Sequence, residues 1–166
     1  RKQKRVIEEQ KIAVEEQKEE VEQAHEELEE KNQEIMDSIT YAKRIQDAML
    51  SGEDYKNKHL PEHYILFKPK DVVSGDYYWA LEKSEKEEHY LYFTAADCTG
   101  HGVPGAFMSL LGISFLNEIN SHDTLLTPAE ILNELRSRVI QELSQTGAEG
   151  ESKDGMDMSI IRLRCP

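Results

Sequence analysis

The first fifty residues contain neither glycine nor proline, and apolar side chains recur among them at intervals of seven. A strict seven-residue apolar repeat along one helix favours a left-handed supercoil with a second helix. We therefore expect residues 1–50 to form a long coiled-coil helix rather than part of a compact core. The repeat runs without interruption through Ile7, Val14, Val21, Leu28 and Ile35.

The second position of each heptad that should face the partner helix is poor in apolar side chains. These positions hold Gln10, Gln17, Ala24 and Lys31. Apolar residues become dense only after Ile35, so the last turns are expected to pack hardest, on a partner helix or on the domain that follows. Two interpretations stay open: a solvated helical spacer, and a parallel dimeric signalling coil whose weak seam lets it rotate. We favour the second because the five repeats are uninterrupted.

Acidic charge is concentrated in this helix. The formal net charge of the chain is −13, and Glu8 to Glu34 holds twelve Glu against three Lys. Nucleic-acid binding needs a basic surface that replaces phosphate counterions, so we exclude that class of partner. Two cysteines, Cys98 and Cys165, are too few for a disulfide framework and indicate a reducing compartment.

Nothing in the sequence is expected to cross a membrane, because no apolar run approaches the usual length and no signal peptide opens the chain. We therefore expect a cytoplasmic location. The basic start Arg1-Lys-Gln-Lys-Arg5 would suit the cytoplasmic flank of an upstream membrane span. It would equally suit the start of a charged helix, so an upstream membrane or sensor domain stays open.

The rest of the chain, about 110 residues, has the size of one small domain. We expect a linker at 51–61 and a domain at 62–166. A capping box at Thr127 and Glu130 opens the second of two helices. Strands followed by helices and a further strand indicate a layered α+β fold. The predicted strands are 63–68, 71–82, 89–97 and 156–163, and the predicted helices are 104–119 and 128–144.

Two aspartates stand near the ends of the predicted central hairpin. With its turn centred near residues 85 and 86, Asp76 lies opposite Ala95 and diagonal to Asp97, with side chains about 7–8 Å apart on one face. A shift of one residue in the register of the two strands would place the carboxylates on opposite faces of the sheet. In this arrangement they can hold one or two small hard cations, with the carbonyl of Cys98 beside them.

A glycine-rich turn follows Asp97 and opens directly into a helix. Gly100, Gly102 and Gly105 let the backbone approach a bound group, and a helix amino end favours an anion such as phosphate. The sequence therefore predicts metal-assisted hydrolysis of a phosphoester.

Other roles for the nearby side chains carry less weight. Zinc at Cys98 and His101 is disfavoured because no second ligand pair accompanies them, and a cysteine nucleophile because no base stands nearby. Asp154 and Asp157 belong to the site or merely cap a strand, and both interpretations stay open.

The most specific pattern in the chain combines three segments, which are Val72-Val-Ser-Gly-Asp-Tyr-Tyr-Trp79, Ala95-Ala-Asp-Cys-Thr-Gly-His-Gly-Val-Pro-Gly-Ala106 and Thr127-Pro-Ala-Glu130. Together these segments resemble the SpoIIE-like branch of the metal-dependent (PPM) serine/threonine protein phosphatases. The resemblance covers about residues 62–164. It implies a PPM-type β-sandwich flanked by helices, with a binuclear Mn²⁺ or Mg²⁺ centre that activates water to attack phosphoserine or phosphothreonine.

By this resemblance Asp76 matches the first acidic ligand, Asp97 matches the metal-bridging aspartate, and Cys98 contributes a carbonyl. Asp157 is only superficially similar to the later Asp-Asn-x-Ser ligand motif, because the Thr-Asp-Gly ligand segment should precede that motif. Both later ligand segments are missing before Pro166. We therefore expect a domain cut short, inactive or weak by itself. If the native chain ended at Pro166, a pseudophosphatase or an interaction module would be the better interpretation.

The resemblance also implies regulation and partners. In this branch, upstream helices commonly switch the phosphatase by repositioning the helices beside the metal site. The arm ending at Met49 and the helices 104–119 and 128–144 resemble that machinery. The implied partners are a phosphorylated protein substrate, such as a STAS-type anti-anti-sigma protein of bacterial signalling, and a second copy of the chain paired through the coil.

Overall fold

The computed structural model describes residues 2–50, 63–121, 124–148 and 153–165. The chain divides into two units, Arg1–Ile39 and Thr40–Pro166. The last ten residues of the first helix thus belong to the second unit. The linker expected at 51–61 lies outside the described residues.

Helix α1 (Lys2–Met49) confirms the long helix predicted from the missing glycine and proline. Its sequence is rich in Glu, Lys, Gln and Ala, which lose little free energy on entering a helix. Local pairs such as Lys31 Nζ to Glu34 Oε2, at 2.8 Å, add a few tenths of a kcal/mol each. The apolar repeat from Ile7 to Ile35 is more than half exposed at every position. Pairing of this stripe with a second copy stays a prediction.

The second unit contains a three-stranded antiparallel sheet in the order β1-β2-β3. The strands are β1 (Tyr77–Glu85), β2 (Glu88–Cys98) and β3 (Met156–Cys165). The predicted hairpin and final strand are confirmed, although β1 begins six residues later than expected.

The strand predicted at 63–68 is wrong. Residues 63–76 lie in no strand, so the apolar run Tyr64-Ile-Leu-Phe67 does not form a ladder. The segment packs through its side chains instead, with the ring of Phe67 edge-on to Tyr78 at a centroid distance of 5.6 Å.

The hairpin register differs from the predicted one by two residues. The ladder closes at Glu85 and Glu88, and Tyr78 rather than Asp76 lies opposite Ala95. The turn lies farther along the chain than expected because Lys86 adopts a left-handed conformation, with φ 59°, which allows a tight two-residue turn. A shift of two residues keeps every side chain on its predicted face.

Two helices cover one face of the sheet. Helix α2 (Gly102–Ile119) and helix α3 (Pro128–Glu142) confirm the predicted pair. The capping box is confirmed too, with Glu130 N donating to Thr127 Oγ1 at 3.3 Å and Thr127 N donating to Glu130 Oε2 at 2.7 Å. The core between helices and sheet is built from Tyr77, Trp79, Tyr92, Ile113, Leu116, Ile131 and Leu135.

Helix α2 is not buried on every side, since the side chain of Phe107 is 67% exposed. It also corrects the prediction that no apolar run reaches membrane-spanning length, because its 18 residues are long and apolar enough by composition. The opposite side of the same helix nevertheless packs into the hydrophobic core. Ile113 and Leu116 are fully buried there.

Candidate metal centre

Asp76 and Asp97 come together where β1 begins and β2 ends. The last ladder pair is Tyr77 with Ala96, and one further step places Asp76 directly opposite Asp97. The sequence predicted one face and a diagonal arrangement. The face is as predicted, but the two carboxyl groups approach closely enough to hydrogen-bond.

The electrostatics of this pair favour a cation. Desolvation raises the pKa of the Asp76 carboxyl, and the charge and hydrogen bond of Asp97 raise that pKa further. In the described part of the chain, no Lys or Arg forms an ion pair with either aspartate. A divalent ion between the two would relieve their repulsion.

Glycines let the backbone segments around the two aspartates approach one another unusually closely. A Cβ on Gly75 would lie 2.8 Å from the Gly100 carbonyl oxygen and 3.4 Å from that of Cys98. A Cβ on Gly105 would lie 2.6 Å from the same Gly100 oxygen. Since these neighbours are backbone atoms, only glycine fits, and the close approach predicted for this turn is found. It brings the Cys98 carbonyl beside the segment that carries Asp76.

The thiol of Cys98 is buried, while its carbonyl oxygen lies against the segment of Gly75. Burial raises the pKa of its thiol to about 12, with further contributions from Asp97 and Asp76. The thiolate is the nucleophilic form of cysteine, and burial disfavours that form here. Burial of the thiol therefore argues against a cysteine nucleophile, as the sequence did.

His101, at the amino end of α2, has a partner that the sequence did not suggest. Its Nδ1 lies 2.9 Å from Asp71 Oδ2, and both side chains are largely exposed. The pair joins the segment before Asp76 to the turn after Asp97. Thirty residues separate the two, and no local pattern in the sequence pointed to their contact.

Asp157 lies nearer to the pair than the sequence could establish. It is the register partner of Asp97 across β2 and β3, so both side chains point to the same face. Just before it, Thr99 N donates to the Gly155 carbonyl at 2.9 Å, and Gly155 N donates to Thr99 Oγ1 at 3.1 Å. Asp154 is not in the ladder and lies in the approach to β3.

A buried glutamine connects α1 to this region, and sequence reasoning missed it. Gln46 Nε2 donates to the Ser74 carbonyl at 2.7 Å and to Ser109 Oγ at 2.7 Å, while Gln46 Oε1 accepts from Ser74 N at 3.0 Å. Ser74 Oγ in turn accepts from Asp76 N at 3.0 Å. The available signal was a polar residue on the helix face that also carries Ala42 and Met49.

The donor set suits a hard divalent cation. Mg²⁺ and Mn²⁺ prefer oxygen ligands, and Mg²⁺ commonly takes one or two carboxylates and keeps several waters. Asp76, Asp97 and the Cys98 carbonyl supply such oxygens. Among the residues that the structure describes, no three His, Cys, Asp or Glu side chains stand closely enough together to hold an ion. The residues therefore fit part of a metal centre rather than a full protein cage.

Comparison with known proteins adds one informative likeness. No protein-family model and no curated protein matches the chain. Among solved structures, it is similar to the SiaA-PP2C domain of Pseudomonas aeruginosa, with 33% sequence identity and a TM-score of 0.58 over 78% of this chain. The match covers 48% of that structure, so this chain spans about half the length of the solved protein. The helices and antiparallel sheet described above thus form an α+β module similar to a PP2C-type (PPM) phosphatase domain.

Proposed function

We propose that this chain carries part of the active site of a metal-dependent serine/threonine protein phosphatase of the SpoIIE-like PPM branch. The observation that carries the proposal is the placement of Asp76 directly opposite Asp97, beside a backbone turn that only glycine can form. The likeness to the SiaA-PP2C domain supports it, because the identity of 33% extends beyond a shared fold.

In this proposal Asp76 and Asp97 hold Mn²⁺ or Mg²⁺ as part of a binuclear centre, together with the Cys98 carbonyl. The bound metal supplies an activated water for attack on phosphoserine or phosphothreonine. The protein's own contribution is to fix the two carboxylates and the carbonyl in one place. The amino end of α2, which begins at Gly102, adds a partial positive charge that favours the phosphate.

The sheet leaves room for the sandwich that the PPM family implies. Ile161 and Leu163 project from β3 on the face away from the two helices, and each is nearly half exposed. Phe93 lies beside Ile161 in the ladder on this same face. In the proposed fold a second sheet covers these apolar side chains and completes a β-sandwich around the metal centre.

Regulation through α1 is part of the proposal. The hydrogen bonds from Gln46 to Ser74, and from Ser74 to Asp76, lead directly from a helix to a metal ligand. A movement of the last turns of α1 would therefore be felt at Asp76. An upstream coiled coil in bacterial signalling would deliver such a movement by changing its pairing.

The proposed partners follow from the same assignment. The substrate is a phosphorylated protein, with a STAS-type anti-anti-sigma protein as the candidate. The exposed apolar repeat of α1 supports a homodimer, and a cytoplasmic location beside an upstream membrane or sensor domain is consistent with the basic residues that open the chain. A non-catalytic interaction module or pseudophosphatase is the alternative, and the paired carboxylates do not favour it.

The test is phosphate release from phosphoserine and phosphothreonine proteins by the full-length protein in Mn²⁺. Asp97→Asn should reduce hydrolysis to background while leaving the fold intact by circular dichroism. Asp37→Asn is the matched control, because it removes an exposed carboxylate of α1 that accepts a hydrogen bond from Gln33, outside the last turns of that helix. Hydrolysis that survives unchanged in a folded Asp97→Asn protein would refute the assignment.

A further inference from the structure

Three carboxylates line up across one end of the sheet. Asp97 lies on the central strand, with Asp76 opposite it on the β1 side and Asp157 opposite it on the β3 side. We call these three residues the acidic row. Directly opposed residues of antiparallel strands have Cβ atoms about 4.5–5.5 Å apart and share a face. The row therefore extends the Asp76 and Asp97 pair by one carboxylate.

The acidic row is unfavourable without a cation. Like charges directly opposite one another destabilise a sheet. In the described segments, no Lys or Arg forms an ion pair with any member of the row. Asp157 is also held in register, because the two hydrogen bonds between Thr99 and Gly155 fasten the start of β3 to the end of β2.

Asp157 stands beside the pair rather than within it. The three side chains do not converge closely enough to enclose an ion together. A carboxylate beside the pair, but not in contact with the ion, can accept hydrogen bonds from the waters that Mg²⁺ or Mn²⁺ keeps. Groups that bond to the ligands of a metal in this way commonly set its affinity and orientation.

We propose that Asp157 is a positioning residue of the metal centre, accepting a hydrogen bond from a water in the hydration shell of the divalent cation held by Asp76 and Asp97. This inference rests on the proposed function and adds a residue that the family resemblance does not assign. It gives the register between β2 and β3 a role at the site, because that register alone places Asp157 beside Asp97.

The experiment measures Mn²⁺ binding to the full-length protein by the electron paramagnetic resonance signal of free Mn²⁺. Asp157→Asn should weaken binding about 10- to 100-fold, the usual effect of losing such an outer partner. Asp157→Glu keeps a carboxylate and should recover part of the affinity. Asp154→Asn removes the same charge three residues earlier, outside the ladder, and should stay within about twofold because solvent and salt screen charges at a distance.

A second readout separates this role from a structural one. In the metal-free protein, Asp157→Asn should raise the melting temperature because it removes a like charge from the row, and the further rise on adding Mn²⁺ should shrink. A purely structural role would lower the melting temperature and leave the Mn²⁺-dependent rise unchanged, which would overturn the proposal.

The outcomes also distinguish failure of the proposed role of Asp157 from failure of the proposed function. If Asp97→Asn binds Mn²⁺ like the wild type, the proposed metal centre fails and Asp157 fails with it. If Asp97→Asn loses binding while Asp157→Asn keeps wild-type affinity, only the role of Asp157 is overturned. An equal loss in Asp154→Asn and Asp157→Asn would show a general charge effect and would overturn it too.

Discussion

At the residue scale, the backbone at Gly75 leaves no room for a side chain beside the proposed metal centre. Gly75 lies next to Asp76, and its missing Cβ leaves the space into which the carbonyl groups of Gly100 and Cys98 project. Backbone atoms of two tight turns cannot move aside as a flexible side chain would. The position of the Asp76 carboxylate therefore depends on the absence of a side chain one residue earlier.

Gly75→Ala should destabilise the protein by about 1–3 kcal/mol, the usual cost of forcing extra atoms into a packed site. It should also weaken Mn²⁺ binding, because relief of the clash displaces Asp76. Gly155→Ala is the control, since a Cβ there meets nothing within 4 Å. Urea unfolding and Mn²⁺ titration of both variants measure the effects. Equal stability of the two variants would contradict the close approach.

The last turns of α1 act at the scale of an element, as a structural support for the site. Gln46 is only 2% exposed and satisfies both the N–H and the carbonyl of Ser74. A buried amide in this position would be costly if its hydrogen bonds were not made. Because they are made, the helix and the segment leading into β1 are held in one arrangement, which fixes Ser74 and through it Asp76.

Gln46→Ala should lower the free energy of unfolding by about 1–3 kcal/mol, because Ser74 loses its partners in a buried place. Mn²⁺ affinity should fall as well. Gln33→Ala on the same helix loses only an exposed bond to Asp37 and should cost about 0.5 kcal/mol or less. Chemical denaturation of both variants makes the comparison. If Gln46→Ala were as stable as Gln33→Ala, the buried network would not support the site.

At the scale of the whole molecule, the acidic helix α1 is expected to set how copies of the chain meet. The apolar repeat offers a stripe for pairing, but the Glu residues around it repel a second copy. The opposing effects are expected to leave the dimer marginal. A marginal coil is easily shifted by a signal from outside it, whereas a strong one would resist.

Sedimentation at micromolar concentration should therefore show a monomer–dimer equilibrium that moves toward dimer as salt is raised, because salt screens the Glu repulsion. Val21→Glu places a charge in the stripe and should give monomer. Gln23→Glu adds the same charge outside the stripe and should weaken the dimer far less. A wild-type monomer at every salt concentration would rule out the dimeric coil.

Local sequence predicted most of the elements. The absence of glycine and proline predicted α1, and the capping box of Thr127 and Glu130 predicted the start of α3. Segments rich in β-branched, aromatic and other apolar residues predicted the hairpin and β3, but also a strand at 63–68 that does not form. Propensity cannot tell a strand from an extended segment, because a strand exists only when another strand pairs with it.

The site divides in the same way. Asp76, Asp97, the Cys98 carbonyl and the surrounding glycines were predicted as a metal site from their types and spacing, since a hard-cation site needs oxygens and a close backbone. The structure brings these groups together, and metal binding by them stays a prediction. The tertiary structure alone decided that Asp157 lies opposite Asp97, that Asp71 meets His101, and that Gln46 reaches Ser74. The sequence determines which groups are present and how each segment folds locally. Which distant groups meet is decided by register and packing, because those depend on the free energy of the whole fold.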